Sequence, residues 1–367
     1  MQPCTVVDLF AGVGGLSYGF HDASSFKIVA ANEILPDMAA AYSLNYPDVL
    51  MYNTDIGNFG FEDVPGSVDV VIGGPPCQAY SSVGRGRLNI KELRTKAKDP
   101  RASLFEQYCR VLYEMNPRMF VFENVTGLLS MEAGNLFPHI CQTFRDLGYV
   151  VCHKVLNAAD YGVPQMRERV VIVGAKVSGH IFEFPAPTCK THLTVKDAIG
   201  DLPFIKSGES SENYASDPQN DYQRLMREGV EENGLWLVNH NAPKHNADLI
   251  AFMEMLPDGG TPEDLPCLPD WFKKIKRFGN TYCRLWWEKP STTVTRNFGT
   301  PSSSRCIHPK VARGLTTREG ARLQSFPDRW MFCGSRSTKN LQVGNAVPPL
   351  LSKALAGAVL SHLLKSR

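Results

Sequence analysis

The first half of the chain alternates short apolar runs with amphipathic stretches. The runs are rich in β-branched and aliphatic residues and occupy residues 5–10, 27–32, 49–52, 68–74, 119–125 and 170–175. A strand buried on both faces reads as a nearly continuous apolar run, whereas a covering helix reads as an amphipathic stretch. The pattern therefore predicts an α/β fold with a doubly wound, Rossmann-like, mostly parallel sheet that is covered by helices on both faces.

The pattern changes after about residue 184. Residues 185–307 are rich in Pro, Ser, Asn and Gly and show little periodicity, which predicts a second, smaller and more irregular domain. The last residues, from Pro348 onward, return to an apolar helical pattern that we expect to pack back on the sheet. We therefore assign residues 1–184 and 308–367 to the larger domain.

The composition is that of an ordinary globular protein. Hydrophobic residues make up 43% and charged residues 21% of the chain, which excludes global disorder and a fibrous architecture. No apolar run approaches the ~18 residues of a membrane helix, and the N-terminus lacks the basic segment of a signal peptide. Ten cysteines without a C-x-x-C pair predict reduced thiols and no metal site. We expect a cytoplasmic protein with no membrane partner.

The net charge of +2 conceals two basic blocks and an acidic stretch. Seven Lys and Arg lie within residues 84–101, and ten lie within residues 273–313, where Glu288 is the one acid. Blocks of this kind are often just solvated surface. The second block and the two residues before it, however, also carry seven aromatic residues (271, 272, 278, 282, 286, 287 and 298), a mixture that suits phosphate neutralisation and base stacking or wedge contacts.

Glycines and acids follow the first three predicted strands. Residues 11–15 form a glycine-rich turn whose G-x-G-G spacing differs from the G-x-G-x-x-G of pyrophosphate binding, which disfavours NAD. Glu33, at the end of the second strand, is placed to accept from both hydroxyls of a ribose. Asp55 and Ile56, after the third strand, are placed to bind and cover an adenine. Together these groups predict a nucleoside pocket.

Reactive side chains follow the later strands. The strand at 68–74 runs into Pro-Pro-Cys, which leaves the Cys77 thiol at the carboxyl edge of the sheet. Glu123 ends the next strand, and Arg167 and Arg169 enter a further one. A thiol, an acid and a guanidinium around a nucleoside pocket suit covalent attack on a polar heterocycle.

These segments resemble, in order, the motifs of the cytosine-C5 DNA methyltransferases of the bacterial and phage modification type. The resemblance covers nearly the whole chain, and the matching segments are 8–20, 32–47, 55–56, 73–85, 123–125, 165–169, 315–328 and 344–349. The combination of PPCQ, ENV, Q-x-R-x-R and GN-x-VPP is highly specific. It implies the S-adenosylmethionine-dependent methyltransferase fold, with residues 185–307 as a target-recognition domain.

The resemblance also implies the cofactor and the roles of individual residues. S-adenosylmethionine would lie against Phe10, Ala11, Gly12, Gly14, Glu33, Ile34, Asp55, Ile56, Pro76, Leu104, Asn345 and Val347. Cys77 would add to C6 of a flipped cytosine, Glu123 would protonate N3 and Arg169 would engage the base carbonyl. Arg167 would add positive charge near the thiolate, and Gln78 and Asn124 would support the backbone.

Double-stranded DNA is the implied partner. The basic segment after Cys77 would close on DNA phosphates, and the candidate DNA contacts are Ser81, Arg85, Arg87, Arg94, Lys96, Lys98 and Gln165, with Arg277, Arg284, Arg296 and Arg305 as candidate base readers. We expect a monomer, nucleoid-associated if the source is prokaryotic. A cognate restriction endonuclease would be encoded separately, because the chain has no room for a second catalytic domain.

Three other functions remain open at this point. The tRNA-methylating branch shares the catalytic motifs, but its Cys-Phe-Thr segment is absent. A catalytically inactive DNA-binding homologue would have had no need to keep Cys77 and Glu123. A nicotinamide oxidoreductase fits the sheet but leaves PPCQ, ENV and Q-x-R-x-R unexplained.

Overall fold

The core of the protein is a mixed sheet. The structure is a computed structural model that describes residues 2–22, 24–59, 64, 66–76, 103–176, 180–230 and 237–365. Within these ranges the strands are β1 (Cys4–Leu9), β2 (Phe26–Asn32), β3 (Leu50–Tyr52), β4 (Val70–Gly73), β5 (Met119–Val125), β6 (Val150–Asn157) and β7 (Glu168–Ala175). They form one sheet in the order β3-β2-β1-β4-β5-β7-β6.

Strands β1 to β5 pair in parallel, and β7 runs antiparallel to both β5 and β6. The strand order reverses between β1 and β4, which is the crevice where doubly wound sheets bind ligands. The predicted doubly wound, mostly parallel sheet is thus confirmed.

Helices connect the strands and build the rest of the chain. In chain order they are α1 (Ser17–Asp22), α2 (Pro36–Asn45), α3 (Leu104–Met115), α4 (Leu136–Asp146), α5 (Val195–Ile199), α6 (Asp221–Arg227), α7 (Ala247–Met255), α8 (Asp270–Lys273), α9 (Thr317–Leu323), α10 (Arg336–Asn345) and α11 (Pro349–Lys365). Short 3-10 helices lie at Ile56–Asn58, Thr126–Leu129, Met131–Gly134, Ala158–Tyr161 and Pro262–Asp264.

Helix α3 is specified by its ends and by one apolar face. Ser103 and Glu106 form a reciprocal capping box at its start, and Asn116 ends it in the left-handed conformation. Its Phe105 and Tyr108 are fully buried against the sheet. Burial of such aromatic rings supplies most of the free energy that holds a helix of this length in place.

The chain divides into two compact units. One comprises residues 1–157, 168–187 and 349–367, and the other comprises 158–167 and 188–348. These limits differ from the predicted boundaries at 184 and 307, because residues 308–348 belong to the second unit. A buried ion-pair network is one of the contacts within this unit: Arg322 donates to Asp328 at 2.6 Å and to Asp201 at 3.2 Å. This network ties α9 to the irregular segment that precedes it.

The stretch Arg336–Lys365 is long and apolar enough to cross a membrane by length and composition alone, and 56% of its most apolar window is buried. It is interrupted between α10 and α11 at residues 346–348. Helix α11 packs against α1, where the Gly19 amide donates to Ser352 Oγ at 3.0 Å. A Cβ on Gly19 would lie 2.3 Å from the Ser352 carbonyl oxygen. The contact shows α11 as a core helix of the first unit.

Two glycines of the first unit should respond in opposite ways to alanine. A Cβ on Gly174 in β7 would lie 2.0 Å from Cε1 of Phe120, whereas a Cβ on Gly357 in α11 would enter open space. Gly174→Ala should therefore lower the free energy of unfolding by about 1–3 kcal/mol. Gly357→Ala should raise it by about 0.5–1 kcal/mol. Urea titration of both variants measures the two changes, and equal effects would contradict the packing.

Candidate active site

An acid and a guanidinium meet at the carboxyl edge of the sheet. Strand β7 enters antiparallel to β5 with Val125 opposite Arg169, so Glu123 and Arg169 are diagonal neighbours on one face. Arg169 Nε lies 2.9 Å from Glu123 Oε1, and each side chain is 12% exposed. Arg169 Nη1 also donates to the Glu168 carbonyl oxygen at 2.8 Å. The pair is thus held in one geometry while its outer atoms remain accessible.

The same pair borders the turn that leads toward Cys77. A Cβ on Gly74 would lie 2.9 Å from Glu123 Oε2, so the carboxylate approaches the backbone where only glycine leaves room. Asn124, which is buried, donates from Nδ2 to the Pro75 carbonyl oxygen at 2.9 Å. The ends of β4 and β5 are therefore joined at residues 74–75 and 123–124.

Several predicted residues lie outside the described part of the chain. These are Cys77, Gln78, Ser81, Arg85, Arg87, Arg94, Lys96 and Lys98. Their roles stay predictions.

Arg167 has a different environment from Arg169. Its side chain is 1% exposed, and its two Nη atoms donate to the carbonyl oxygens of Val294, Gly344 and Ala346 at 2.9–3.1 Å. These contacts hold backbone together inside the second unit. They give no support to the expectation that Arg167 supplies charge to a thiolate, because both of its Nη atoms are bonded to carbonyl oxygens of the second unit.

The glycine-rich turn after β1 is organised by Glu33. The Gly12 amide donates to Glu33 Oε2 at 2.9 Å and the Leu35 amide donates to Oε1 at 2.8 Å. Burial raises the pKa of Glu33 in spite of these bonds. Gly12 has φ +56° and open space where a Cβ would stand, and Ile34 beside it is 56% exposed. An acceptor and an apolar surface thus flank an open turn.

Asp55 and Ile56 lie at the end of β3. Asp55 is exposed and caps the 3-10 helix by accepting from the Gly57 amide at 2.8 Å. Ile56 is buried in the core, and Arg110 donates to its carbonyl oxygen at 2.7 Å. Arg110 was missed by sequence reasoning, because a lone Arg on the apolar face of α3 has no motif around it.

The remaining predicted cofactor residues differ in exposure. Phe10 has φ +55° and is half-buried, Ala11 is buried, Pro76 is exposed and Leu104 is half-buried at the first turn of α3. The left-handed Gly14, at φ +85°, lies under Tyr46, whose hydroxyl donates to the Gly14 carbonyl oxygen at 2.8 Å. The second unit contains Asn345, exposed at the end of α10, and Val347, which is buried.

Two of the predicted DNA contacts have side chains that are buried and hydrogen-bonded inside the second unit. Gln165 is fully buried, and its Nε2 donates to the Leu323 carbonyl oxygen at 3.0 Å and to Gln324 Oε1 at 2.8 Å. Arg284 is 5% exposed and donates to the His308 carbonyl oxygen at 2.7 Å. Both side chains support backbone, so the structure argues against them as DNA contacts.

The other three predicted base readers differ from one another. Arg277 pairs with Glu263, and Arg305 donates to the Gly259 carbonyl oxygen at 2.8 Å while its guanidinium lies 4.1 Å above the ring of Trp286. Arg296 is exposed and makes no hydrogen bond or ion pair within the described residues. Of the three, Arg296 has its charge most available to a partner.

Fold and site together define an α/β protein with an acid–guanidinium pair at the carboxyl edge of its sheet and an open glycine-rich turn after β1. Comparison with known proteins gives its family. Residues 4–361 match the family model of the C-5 cytosine-specific DNA methylases. The chain belongs to this family and is a DNA (cytosine-5)-methyltransferase.

Named relatives and solved structures agree with that membership. The chain is 38% identical over 361 residues to the type II methyltransferase M1.HphI of Haemophilus parahaemolyticus, covering 97% of this chain and 86% of the relative. It is 37% identical to M.DdeI of Desulfomicrobium norvegicum, covering 96% and 87%. A prophage-encoded protein of Escherichia coli, described as a DNA modification methyltransferase, superposes with a TM-score of 0.74 at 25% identity, covering 98% of this chain and 99% of that one.

A buried acid under the glycine-rich turn predicts a pH dependence of stability. Asp8 is 1% exposed and accepts from Ser17 Oγ at 2.6 Å. Burial, and secondarily the charge of Glu33, raises the pKa of Asp8 from 3.8 to about 7. The folded state therefore keeps a proton that the unfolded state releases between these pH values, and this contribution to stability is lost as pH rises through the window.

Asp8→Asn removes that titration while keeping an acceptor for Ser17. The free energy of unfolding of the variant minus that of the wild type should rise between about pH 4 and pH 7 and then level off. Urea titrations at several pH values measure it. A difference that does not change between about pH 4 and pH 7 would show that Asp8 is already ionised across this range in the folded protein.

Proposed function

We propose that this enzyme methylates C5 of a flipped cytosine in double-stranded DNA through a transient bond between Cys77 and C6, with S-adenosylmethionine as methyl donor. The observation that carries the proposal is the Glu123–Arg169 pair, held at 2.9 Å and packed against the Gly74–Pro75 turn that precedes Cys77 in the chain. An acid and a fixed donor beside a nucleophile suit a base that must be activated before it is methylated.

The pair supplies partners for two of the three groups on the Watson–Crick edge of cytosine, the carbonyl at C2 and the ring nitrogen N3. Arg169 is anchored through Nε and Nη1, which leaves Nη2 to donate to the base carbonyl at C2. Glu123 then donates a proton to N3. Protonation at N3 draws electrons from the ring and makes C6 electrophilic.

The bonding changes balance around Cys77. Its thiolate would form a bond to C6, and the C5–C6 π pair would move onto C5 and take the methyl group. The methyl–sulfur bond of the donor would break, its electron pair would stay on sulfur and S-adenosylhomocysteine would leave, while the proton on N3 would return to Glu123. A base then takes the proton from C5, the pair re-forms the C5–C6 double bond, and Cys77 leaves as a thiolate. Extrusion of the cytosine costs a few kcal/mol, which contacts in the pocket offset.

The residues of the first unit fit the proposed cofactor. Each Glu33 oxygen accepts an amide bond, from Gly12 or Leu35, and the Ile34 amide also bonds to the carboxylate. A carboxylate has about four lone-pair positions, so capacity remains for a ribose hydroxyl. The exposed Ile34 offers an apolar surface to an adenine, and the open space at Gly12 admits a ligand close to the backbone. S-adenosylmethionine bound there supplies an electrophilic methyl group.

The biological setting is inferred from the relatives. M1.HphI and M.DdeI are type II methyltransferases, so we propose that the chain acts in the cytoplasm as a monomer and that a cognate restriction endonuclease is encoded separately. We further propose that residues 185–307 recognise the DNA sequence, and that the basic segment 84–101 contacts phosphates.

Cys77→Ser should abolish methyl transfer to DNA, because a hydroxyl is a far weaker nucleophile than a thiolate. With a 5-fluorocytosine duplex and S-adenosylmethionine, the wild type should form an adduct that survives denaturing electrophoresis, since fluorine blocks release. The serine variant should form none. Cys189→Ser, a change at a half-buried cysteine of the second unit, is the matched control. An adduct in the Cys77 variant would refute the covalent step.

Glu33→Gln should weaken S-adenosylmethionine binding about tenfold to hundredfold, because hydrogen bonds to a charged group are worth roughly 1.5–3 kcal/mol. Affinity for DNA should change little. Asp37→Asn, which removes an exposed acid in the first turn of α2, is the charge-matched control. Calorimetry with the cofactor measures both, and equal affinities would mean that Glu33 only organises the turn.

A further inference from the structure

A cavity of about 250 Å³ lies within the second unit. The residues that line it come from four parts of this unit: Pro243, Lys244, His245 and Leu249; Tyr282; Arg296, Asn297, Gly299, Thr300, Pro301 and Ser302; and, in α10, Arg336, Ser337 and Asn340. A water molecule takes roughly 30 Å³ in the liquid, so the cavity has room for a polar group several waters in size. Its outer rim includes the exposed Thr300 and Ser302, through which a ligand can enter from solvent.

The cavity is strongly cationic. Lys244, Arg296 and Arg336 line it, and none of the described residues in its wall is a carboxylate. Lys244 and Arg296 have no hydrogen bond or ion pair with any residue that the structure describes, and Arg336 makes one long bond of 3.3 Å to the Ala242 carbonyl oxygen. Burial, with Arg336 and Arg313 nearby, lowers the pKa of His245 in the same wall. The cavity therefore carries positive charge that no carboxylate among the described residues of its wall neutralises.

A buried amide in the wall also lacks an acceptor. Asn340 is 6% exposed, and its Oδ1 accepts from Thr317 Oγ1 at 2.7 Å. Its Nδ2 lies 3.1 Å from the point where a Cβ on Gly299 would stand, and Gly299 is itself part of the wall. No described residue accepts from this Nδ2. Because Asn340 lines the cavity, its Nδ2 can donate to a ligand that is rich in acceptors.

We propose that this cavity binds one phosphodiester group of the DNA backbone. Arg296, Lys244 and Arg336 neutralise its charge, and Asn340 Nδ2 donates to a phosphoryl oxygen. The inference rests on the proposed function, which makes duplex DNA the polyanion that reaches this unit. A phosphodiester accepts hydrogen bonds and donates none, so it complements the cations and the amide donor of the wall. Arg296 then contacts phosphate and does not read guanine.

Two variants test the site with little risk to the fold. Arg296→Gln removes a charge that has no internal partner. Asn340→Asp keeps the oxygen that accepts from Thr317 and replaces the donor with a negative oxygen. Lys154→Gln removes an exposed charge from β6 in the first unit and is the control for charge alone. Thermal melting of each variant checks that the fold is retained.

The expected result is a loss of affinity that does not depend on DNA sequence. Arg296→Gln should weaken binding of specific and random duplexes by the same factor and should reduce the slope of log affinity against log salt by about 0.9. Asn340→Asp should weaken both at least as much, and Lys154→Gln should leave affinity and slope at wild-type values. Ethylation of one particular DNA phosphate should interfere with the wild type but not with Asn340→Asp.

Calorimetry with inorganic phosphate tests whether the ligand of the cavity is a phosphodiester of DNA or a free small anion. Phosphate binding that depends on Arg296, together with unchanged DNA affinity in both variants, would overturn the proposal in favour of a small-anion site. Unchanged affinity, slope and ethylation pattern without phosphate binding would overturn it as well. If instead the wild type fails to methylate duplex DNA, the failure lies in the proposed function and not in this site.

Discussion

The antiparallel entry of β7 between β5 and β6 is the constraint on which the candidate active site depends. Parallel strands gather only their carboxyl ends at one edge of a sheet, whereas a reversed strand brings its first residues to that edge. Arg169 reaches Glu123 for this reason. Had β7 run parallel, its eight residues would place Arg169 at the opposite edge, about 20 Å away at roughly 3.3 Å per residue. The Glu123–Arg169 pair therefore depends on the antiparallel direction of β7 and not on the conformation of a loop.

Close packing at two glycines keeps this reversed strand in register. Phe120 covers Gly174 directly across the β5–β7 ladder, and Gly74 admits the Glu123 carboxylate where any side chain would collide. A slip of one residue would turn each side chain to the other face of the sheet. The Phe120 ring would then no longer pack on Gly174, and Arg169 would no longer contact Glu123. Stability of the core and geometry of the site thus depend on the same register.

The sequence predicted every strand but β6, and its motifs singled out Glu123 and Arg169 without predicting that the two side chains pair. Apolar runs identify strands, and Glu123 and Arg169 lie in short motifs whose spacing is specific. The limits of the two units were not predictable in the same way. Asp201, Arg322 and Asp328 are far apart or look like surface charges in the sequence, but they are buried together in the second unit, which includes residues 308–348. Arg110, which holds the backbone at Ile56, is hidden for the same reason.

The arginines show most clearly that residues of one type have different roles in this protein. Arg167, Arg313, Arg318 and Arg322 are among the largest fully buried side chains of the described residues, and an unpaired charge at such depth would be very costly. Arg167 meets carbonyl oxygens, and Arg313 meets Glu319 at 2.8 Å. Counting cations along residues 273–313 therefore overstates the charge that DNA encounters, since Arg284 and Arg313 are used internally. What remains for a polyanion is the smaller set that keeps its charge outside the core, and Arg296 belongs to it because no internal acceptor competes for its guanidinium within the described chain.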